Sequence, residues 1–441
     1  MNAPVTLAII GAGHRGGEAY ARWALEHPGE ARVVAVADPN AERREALAER
    51  HSIPFEHRYA RWEDLLSSGR LADAVVIATP DRLHVAPTLR ALQLGYHVLL
   101  EKPIAPTRDE VLQVARAAER APGSVTVCHV LRYTPFFSTI KRLLDQGRIG
   151  SLVSVQYTEN IGYWHFAHSF VRGNWRNLQT SSPMILAKSC HDMDMMRWLA
   201  GAPSRSISSF GSLMHFRREN APPGAPERCT DGCPAERSCP FYAPRLYLEY
   251  TRDWTGWPVS VITRDFSPEG RLQALREGPY GRCVYRCDND VVDHQVVSIE
   301  FEGGVTAAFT VTAFTLENTR TLKLMGTGGE IRGHLEKGEI ELRTFAPGAG
   351  RSDSKDTVEG RAWHGPSAGG YELIRVPAGP GHAGGDSGLM EAFVRRVRLI
   401  KLGEHPGEAL TSLRESIESH LMAFAAEEAR LERRVVPMDG A

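Results

Sequence analysis

A glycine-rich turn between an apolar segment and a helical one constrains this chain more than any other feature. Val5–Ile10 is a short apolar run, Gly11, Gly13 and Gly16 follow at the spacing GxGxxG, and Glu18–Glu26 has a helical pattern. Glycine permits a tight turn, the close approach of a diphosphate and the packing of a helix against a strand. The sequence therefore predicts a strand, turn and helix that bind a dinucleotide.

An acidic residue at the end of the next apolar run specifies the cofactor. Arg32–Ala37 is followed by Asp38, at the offset expected for a carboxylate that accepts hydrogen bonds from ribose hydroxyls. Such a carboxylate repels a 2′-phosphate, so we predict NAD rather than NADP. Arg43 and Arg44 would soften this preference if they faced the ribose, although they also fit a solvated helix face.

Apolar and helical segments continue to alternate through the first third of the chain. Further strands are predicted at Ala74–Ala78, Val98–Leu100 and Val125–Val130, with helices between them. Regular alternation of this kind predicts a parallel sheet with helices on both faces. The predicted fold class is α/β, with a Rossmann domain over residues 1–127.

Lys102 is the first catalytic candidate. It stands in Glu101-Lys102-Pro103, directly after the strand Val98–Leu100, and Thr79-Pro80 follows the neighbouring strand. Open parallel sheets place their ligands at the carboxyl ends of their strands, so both segments should border the same crevice as the glycine turn. Pro103 restricts the backbone of Lys102 to extended geometry, which should fix the direction of the lysine.

These motifs resemble those of the Gfo/Idh/MocA family of nicotinamide-dependent sugar and polyol oxidoreductases. The resemblance rests on the glycine turn, Asp38, Ala78-Thr79-Pro80 and above all Glu101-Lys102-Pro103. It implies a second α/β domain whose open sheet bears the substrate and often the oligomer interface, and it implies that Lys102 is the catalytic lysine. The predicted cofactor contacts are Gly11, Gly13, His14, Arg15, Gly16, Asp38, Thr79, Pro80, His84, Glu101, Lys102, Arg132, Trp175 and Arg176.

A helical segment, Pro183–Gly201, is the second anchor of the predicted site. The family resemblance places a histidine at His191 and an aspartate four residues earlier, where this chain has Ala187. A base that takes the hydroxyl proton and a cation that steadies the alkoxide are what alcohol oxidation needs, and His191 and Lys102 suit these roles. Lys188 lies three residues before His191 on the same predicted helix face and could fill part of the gap at Ala187.

The remaining chain, residues 128–441, is predicted to form the second domain around a large, mostly antiparallel open sheet. Polar and aromatic side chains suited to a polyhydroxylated ligand supply the predicted substrate contacts, which are Tyr163, His165, Lys188, Asp293 and His294. Residues 220–288 form a cysteine-containing insertion, 347–385 a long loop with a short strand near 371–376, and 387–431 contain two amphipathic helices.

The insertion contains five of the seven cysteines. Cys229, Cys233 and Cys239 lie close together in the sequence, and Cys283 and Cys287 follow later. They could hold a structural zinc ion, or they could be reduced thiols or a disulfide, since the spacings differ from the usual two-residue knuckles. We predict no catalytic metal.

Composition excludes several classes of partner. The chain has 441 residues and 52 basic against 53 acidic side chains, so its formal net charge of -1 gives no electrostatic footprint for nucleic acid or an anionic membrane. No apolar run approaches membrane-spanning length and the first strand follows four residues after the N-terminus, which predicts a cytoplasmic protein. We expect a homo-oligomer, a dimer or tetramer paired through the second sheet.

The sequence therefore predicts an NAD-dependent oxidoreductase acting on a sugar, cyclic polyol or glycoside. Two alternatives stay open. The first is a glycoside hydrolase that oxidises its substrate transiently, eliminates the leaving group and reduces the product again. The second is a sensor or assembly subunit that binds NAD without turnover.

Overall fold

Two β-sheets organise the chain in the computed structural model, which describes residues 3–345, 369–377 and 379–438. In these ranges the first sheet contains β1 (Val5–Ile10), β2 (Ala31–Ala37), β3 (Arg58–Tyr59), β4 (Ala74–Ile77), β5 (His97–Leu100) and β6 (Val125–Val127). Its order is β3-β2-β1-β4-β5-β6 and every neighbouring pair is parallel. The order reverses between β1 and β4, where parallel sheets open a crevice for a ligand.

The second sheet is mixed and mostly antiparallel. It contains β7 (Leu152–Gly162), β8 (Ser204–Ser212), β9 (His294–Phe301), β10 (Thr306–Thr315), β11 (Thr319–Gly326), β12 (Gly329–His334), β13 (Glu339–Phe345), β14 (Gly369–Arg375) and β15 (Val436–Pro437). The order is β14-β13-β12-β11-β7-β10-β9-β8-β15, with β7 and β10 parallel. The predicted fold class, a Rossmann domain followed by an α/β domain with this kind of sheet, is confirmed.

Helices cover both sheets. They are α1 (Arg22–Glu26), α2 (Ala41–Arg50), α3 (Trp62–Ser67), α4 (Val85–Gln93), α5 (Arg108–Ala118), α6 (Pro135–Asp145), α7 (Tyr163–Phe166), α8 (Met184–Ala187), α9 (Cys190–Ala200), α10 (Val259–Ile262), α11 (Pro268–Glu277), α12 (Gly385–Lys401) and α13 (Leu413–Glu432). Wide π-type turns over His14–Ala21 precede α1, so this helical segment begins earlier than predicted. Within the described ranges, no helix is both long enough and apolar enough to span a membrane.

The segment Pro183–Gly201 is not the single helix that the sequence predicts. The chain forms α8, turns at Lys188 and Ser189, where Ser189 has non-helical dihedrals, and starts again as α9. The Ser189 carbonyl accepts the first hydrogen bonds of α9, from the backbone of Asp192 at 3.0 Å and of Met193 at 2.9 Å. Because the break separates them, Lys188 and His191 do not share one continuous helix face, and the geometric argument that paired them is wrong.

Several other boundaries differ from the predictions. β6 ends at Val127 rather than Val130 because a 3₁₀ turn over Val130–Tyr133 follows it. β8 was not predicted, since its serine-rich sequence has a weak strand pattern, and neither was α11 in the insertion. β9 and β10 form an antiparallel hairpin, as expected for a mostly antiparallel sheet, and the predicted short strand near residues 371–376 is confirmed as β14. Residues 346–368 of the predicted long loop lie outside the described residues.

The two C-terminal helices tie the sheets together. On α12, Leu389, Phe393 and Val397 pack into the apolar core beneath β1, so this helix covers the first sheet. α13 packs against α5 of the first half and against α9 and β8 of the second. The division of the chain at residues 127 and 128 stays a prediction.

Candidate active site

Lys102 connects the two halves of the molecule across the crevice. It follows β5, and its Nζ donates a hydrogen bond to the carbonyl oxygen of Ala187 at 2.8 Å. That carbonyl belongs to the last residue of α8, so the ammonium of the first half lies directly against the broken helix of the second half. The backbone of residue 187 makes this contact, and no carboxylate is needed there to position the lysine.

His191 lies near this contact, in the first turn of α9. Only 5% of the residue is exposed, and its Nδ1 has no hydrogen-bond partner among the described residues. Burial first, and then the positive charge of Lys102, hold the pKa of His191 well below its usual value. The imidazole is therefore neutral at pH 7 and able to accept a proton.

Two further histidines lie behind His191. The His129 ring makes an edge contact with the His191 ring at 5.6 Å and lies 5.5 Å from the ring of His420. His420 Nε2 accepts a hydrogen bond from the Ile104 backbone at 2.9 Å, and its Nδ1 donates to the Ser416 carbonyl at 2.8 Å. Both nitrogens of His420 are thus occupied, and burial lowers the pKa of His129 well below its usual value.

The glycine turn has the geometry that a bound diphosphate requires. Gly11 has φ +95°, and a Cβ there would lie 2.5 Å from the Ala78 carbonyl oxygen. A Cβ on Gly16 would lie 1.9 Å from the Gly11 carbonyl oxygen, whereas the nearest atom to one on Gly13 is the Arg43 side chain at 4.0 Å. The turn is closed on the side of the sheet and open at Gly13, so the residues present fit a dinucleotide.

Asp38 lies at the end of β2 beside this turn. Its Oδ2 accepts a hydrogen bond from the Ala12 backbone at 2.7 Å and its Oδ1 accepts one from the Asn40 backbone at 2.8 Å. These bonds fix the carboxylate while each oxygen retains a free lone pair. The arrangement fits a residue that accepts hydrogen bonds from ribose hydroxyls.

An ion-pair network surrounds Glu101, the neighbour of Lys102. Arg15 donates to Glu101 at 2.6 Å and to both oxygens of Asp386 at 2.7 and 3.0 Å, and the hydroxyl of Tyr20 also contacts Glu101. Burial alone would raise the pKa of Glu101, but Arg15 and Lys102 bring it below its usual value. Glu101 is thus an ionised anchor for Arg15, and His14 is exposed next to it.

His84 joins two neighbouring strand ends. Its ring lies between the carbonyl oxygens of Pro103 at 2.7 Å and Thr79 at 2.9 Å, and only 1% of the residue is exposed. The Thr79 hydroxyl donates to Leu83 at 3.1 Å, which closes the turn that contains Pro80. In this structure His84 fixes the backbone of Lys102-Pro103 relative to β4, and its contact with the cofactor stays a prediction.

Lys188 belongs to a charge network in the second half of the molecule. Its Nζ lies 2.9 Å from Glu159 on β7, and Glu159 also pairs with Arg320 on β11 at 2.7 Å. Arg320 pairs in turn with Asp192 on α9 at 2.8 Å. Burial raises the pKa of Asp192 to about 6, although Arg320 opposes this shift. Glu159 therefore positions Lys188, whose charge acts on His165 and His382.

Three of the predicted cofactor contacts have partners inside the second half. Arg132 is 2% exposed and makes two hydrogen bonds to Asp194, at 2.8 and 2.9 Å. Arg176 pairs with Asp288 at 2.9 Å, and the Trp175 ring packs against Phe170. Asp194 holds Arg132 inside the second half, and the contacts of all three residues with a cofactor stay predictions.

An aromatic group surrounds the predicted substrate residues Tyr163 and His165. His165 contacts the amide oxygen of Asn318 through Nδ1 at 2.8 Å, and its ring lies 4.8 Å from that of Trp257. Burial, followed by the charge of Lys188, lowers the pKa of His165 to about 3. A neutral imidazole and an indole beside Lys188 form a surface suited to a sugar ring.

Asp293 and His294 lie at the start of β9 and serve a local role. Asp293 is fully buried, and one carboxylate oxygen accepts hydrogen bonds from the backbones of Met214 and His215 at 2.9 and 2.7 Å. His294 contacts the other oxygen through Nδ1 at 2.8 Å. The structure does not bring this pair into contact with Lys102 or His191, and their substrate role stays a prediction.

The cysteine cluster gives no support to a zinc site. The cysteines of the insertion are free thiols, and Arg172 contacts Cys229 Sγ at 3.6 Å. Across the described ranges, no group of three or more histidine, cysteine, aspartate or glutamate side chains is arranged to hold a metal ion.

Sequence reasoning missed four residues at this site. Glu159 and Arg320 come from strands far apart in the chain. His382 precedes α12 and Asp386 lies in its first turn, where His382 Nδ1 lies 3.1 Å from Asp386. Of these residues, Asp386 alone has a local sequence signal, because an acidic side chain in the first turn favours the start of a helix. Strand pairing brings Glu159 and Arg320 together, and no local pattern predicts that.

Comparison with known proteins identifies the family. The profile described as "Oxidoreductase family, NAD-binding Rossmann fold" matches residues 5–129, and "Oxidoreductase family, C-terminal alpha/beta domain" matches residues 141–373. The Bacillus subtilis oxidoreductase YteT is 26% identical over 325 residues, which cover 72% of this chain and 71% of that protein. Inositol 2-dehydrogenase 4 of Saccharopolyspora erythraea is 32% identical over 232 residues, which cover 51% of this chain and 61% of that protein.

Solved structures share the fold over the whole length. Levoglucosan dehydrogenase in complex with NADH and levoglucosan has a TM-score of 0.69 at 18% identity, covering 99% of this chain and 100% of that one. The WlbA dehydrogenase of Bordetella pertussis, in complex with NADH and UDP-GlcNAcA, has a TM-score of 0.66 at 16% identity, covering 100% and 99%. With both family domains matched and the nucleotide turn in place, the chain belongs to the Gfo/Idh/MocA family of NAD-dependent oxidoreductases.

Proposed function

We propose that this protein oxidises a hydroxyl group of a sugar, a cyclic polyol or a glycoside, or catalyses the reverse reduction, with Lys102 and His191 at the reacting carbon. One observation carries the proposal. The Lys102 ammonium crosses the crevice to the Ala187 carbonyl at 2.8 Å, close to the buried, neutral imidazole of His191 and at the edge of the sheet that bears the glycine turn.

The two side chains divide the proton chemistry between them. A bound nicotinamide supplies the acceptor for the hydride. His191 accepts the hydroxyl proton, because its lowered pKa keeps the imidazole unprotonated at neutral pH. Lys102 donates a hydrogen bond to the oxygen on which negative charge develops. Ala187 contributes its backbone oxygen, which orients the ammonium.

The substrate class follows from the second half of the crevice. We assign the contacts with the substrate hydroxyls to Lys188, His165 and Tyr163, since an aromatic surface with a fixed cation suits a polyhydroxylated ring. The named relatives include dehydrogenases of inositol and of levoglucosan, which supports a sugar or cyclic polyol. Asp38 supports NAD over NADP.

Purified protein tests the proposal against its two alternatives. It is incubated with a panel of sugars, cyclic polyols and glycosides and with NAD or NADP, while NADH absorbance and release of aglycone are followed. Net reduction of NAD with at least one polyol is expected. Release of aglycone without net NADH would indicate the transient-oxidation hydrolase, and binding of NAD with neither reaction would indicate a sensor.

We also propose that the protein forms a homo-oligomer through the second sheet. An open groove of about 500 Å³ crosses β7 and β11–β13, and Lys323, Arg332 and Glu341 are among its polar lining residues. A charged face of this kind can pair with its own copy. Light scattering should give the mass of a dimer or tetramer. Substitution of Lys323 by Glu should weaken the association between subunits. A monomeric wild-type protein would contradict this proposal.

The cytoplasmic location stays a prediction.

A further inference from the structure

A proton that binds to His191, the base proposed for the reaction, has no path through the protein interior. His191 is 5% exposed, and the residues behind it, His129 and His420, are fully buried. His420 uses both ring nitrogens in hydrogen bonds to the backbone, so it cannot take up and release a proton without breaking one of them. A proton accepted by His191 therefore has to leave towards the crevice.

The crevice side presents a second imidazole. The ring of His382 lies 6.2 Å from the ring of His191, and 40% of its side chain is exposed. Its Nδ1 lies 3.1 and 3.2 Å from the two oxygens of Asp386. Because a carboxylate only accepts, Nδ1 carries the hydrogen and Nε2 is left to exchange protons.

The position of His382 is fixed by groups that also position the glycine turn. Arg15 makes two hydrogen bonds to Asp386 and a third to Glu101. Arg15 Nη1 lies 3.4 Å from His382 Nδ1, and this approach is not a hydrogen bond when Nδ1 is protonated. The charged or titratable groups that face His382 are His14, Arg15, Lys188, His191 and Asp386.

We propose that His382, oriented by Asp386, carries the proton released during hydroxyl oxidation from His191 to the solvent. This inference rests on the proposed function. His382 is the acceptor on the exposed side of the site, and Asp386 is a positioning residue that keeps Nε2 free.

The proton balance is simple. The substrate O–H bond breaks and its proton binds to a ring nitrogen of His191, while the C–H bond breaks and its electron pair leaves with the hydride to the bound nicotinamide. The proton passes from His191 through an intervening water to Nε2 of His382, and then from Nε2 to bulk water. One proton is released for each hydroxyl oxidised, and both histidines return to the neutral state.

Steady-state kinetics of the variant His382→Gln test the path in the complete protein with NAD. kcat should fall by about 10²-fold, at the low end of the effect of a positioned proton-transfer group, with KM nearly unchanged. Added imidazole should restore kcat, because a small buffer can carry the proton in place of the side chain. His405→Gln removes an exposed histidine and is the matched control, for which no change and no rescue are expected.

A spectroscopic measurement tests the orientation independently of turnover. The protein is labelled with ¹⁵N-histidine for NMR, and the His382 signal is assigned because it is absent from the His382→Gln variant. Its chemical shifts should show the tautomer protonated at Nδ1. The variant Asp386→Asn should shift this signal towards the Nε2 tautomer and lower kcat.

The outcomes separate the inference from the proposed function. The proton path alone would be overturned if the wild-type protein turned over and His382→Gln had the same kcat. It would also be overturned if the variant lost activity through a higher KM that added imidazole did not restore. A His382 protonated at Nε2 in the wild-type protein would also overturn it. Wild-type protein without turnover on any substrate would overturn the proposed function and the proton path with it.

Discussion

The two sides of the crevice are built in different ways. On the first-sheet side, Lys102, Glu101 and the glycine turn lie at strand ends, and adjacent backbone fixes their directions. On the second-sheet side, His191 and Lys188 flank a break between two helices, and buried charges from distant strands hold that break in place. On the first side the strand-end backbone fixes the direction of Lys102, and the Arg15 ion pairs hold its neighbour Glu101. On the second side ion pairs hold the broken helix itself, so substitutions on the two sides should have different consequences.

The largest expected effect comes from the first-sheet side. Lys102→Met removes the cation and keeps the approximate length of the side chain, so kcat/KM for the best substrate should fall by about 10⁴-fold, with little change in thermal stability. Lys102→Arg keeps the charge and should recover part of the activity. A Lys102→Met enzyme within a few fold of wild type would show that the lysine is not at the reacting carbon.

On the second-sheet side, the next effect concerns stability. Arg320→Met leaves Glu159 and Asp192 buried without their shared partner, which should lower the free energy of unfolding by about 3 to 5 kcal/mol in urea titrations.

The matched control for Arg320 is Arg343→Met, which breaks an exposed pair with Glu341 on the same sheet. This change should cost at most about 1 kcal/mol. Equal losses in the two variants would mean that the buried network does not support the second-sheet side.

The pH dependence of stability tests whether His191, on the second-sheet side, is buried in the neutral form. Its pKa is well below 6.5 in the folded protein, so its contribution to stability is present above pH 6.5 and is lost as the pH falls. Between pH 7 and pH 5.5, the wild-type protein should lose about 1.3 kcal/mol more unfolding free energy than the His191→Asn variant. The measurement is a urea titration of both proteins at the two pH values, and equal losses would show that His191 is not buried in the neutral form.

The smallest effect concerns Ala187, at the position where the family resemblance predicts an aspartate. Ala187→Asp adds a carboxylate beside Lys102 and near His191, and a nearby negative charge favours the imidazolium. The acidic limb of the kcat/KM profile should therefore move up by about 1 pH unit. Ala187→Ser adds no charge and should leave the limb in place. An unchanged profile in Ala187→Asp would mean that residue 187 does not face the base.

The same contrast explains what the sequence could predict. The succession of strands and helices in the first third, the glycine turn, Asp38 and the place of Lys102 after a strand follow from local patterns, because apolar runs and their ends are visible along the chain. The hairpin of β9 and β10 and the mostly antiparallel second sheet were predictable for the same reason.

The second-sheet side could be predicted only in part. His191 was predicted through the family resemblance and its role stays a prediction. The break at Lys188 and Ser189 was not predicted, because a helical pattern does not show where hydrogen bonding restarts. The pairing of Glu159 with Arg320 depends on β7 lying beside β11, and the pairing of His382 with Asp386 depends on how the chain returns to the first sheet. These contacts join residues that are distant in sequence or lie in a segment without a regular period.

A crystal structure with NADH and a substrate polyol bound tests the central claim most directly. The reacting hydroxyl should lie about 2.6 to 3.2 Å from both Lys102 Nζ and a ring nitrogen of His191, and the carbon that bears it should lie about 3 to 3.5 Å from the nicotinamide ring. A hydroxyl positioned by Lys188 and His382 alone, with Lys102 still bonded only to Ala187, would contradict the assignment of the catalytic pair.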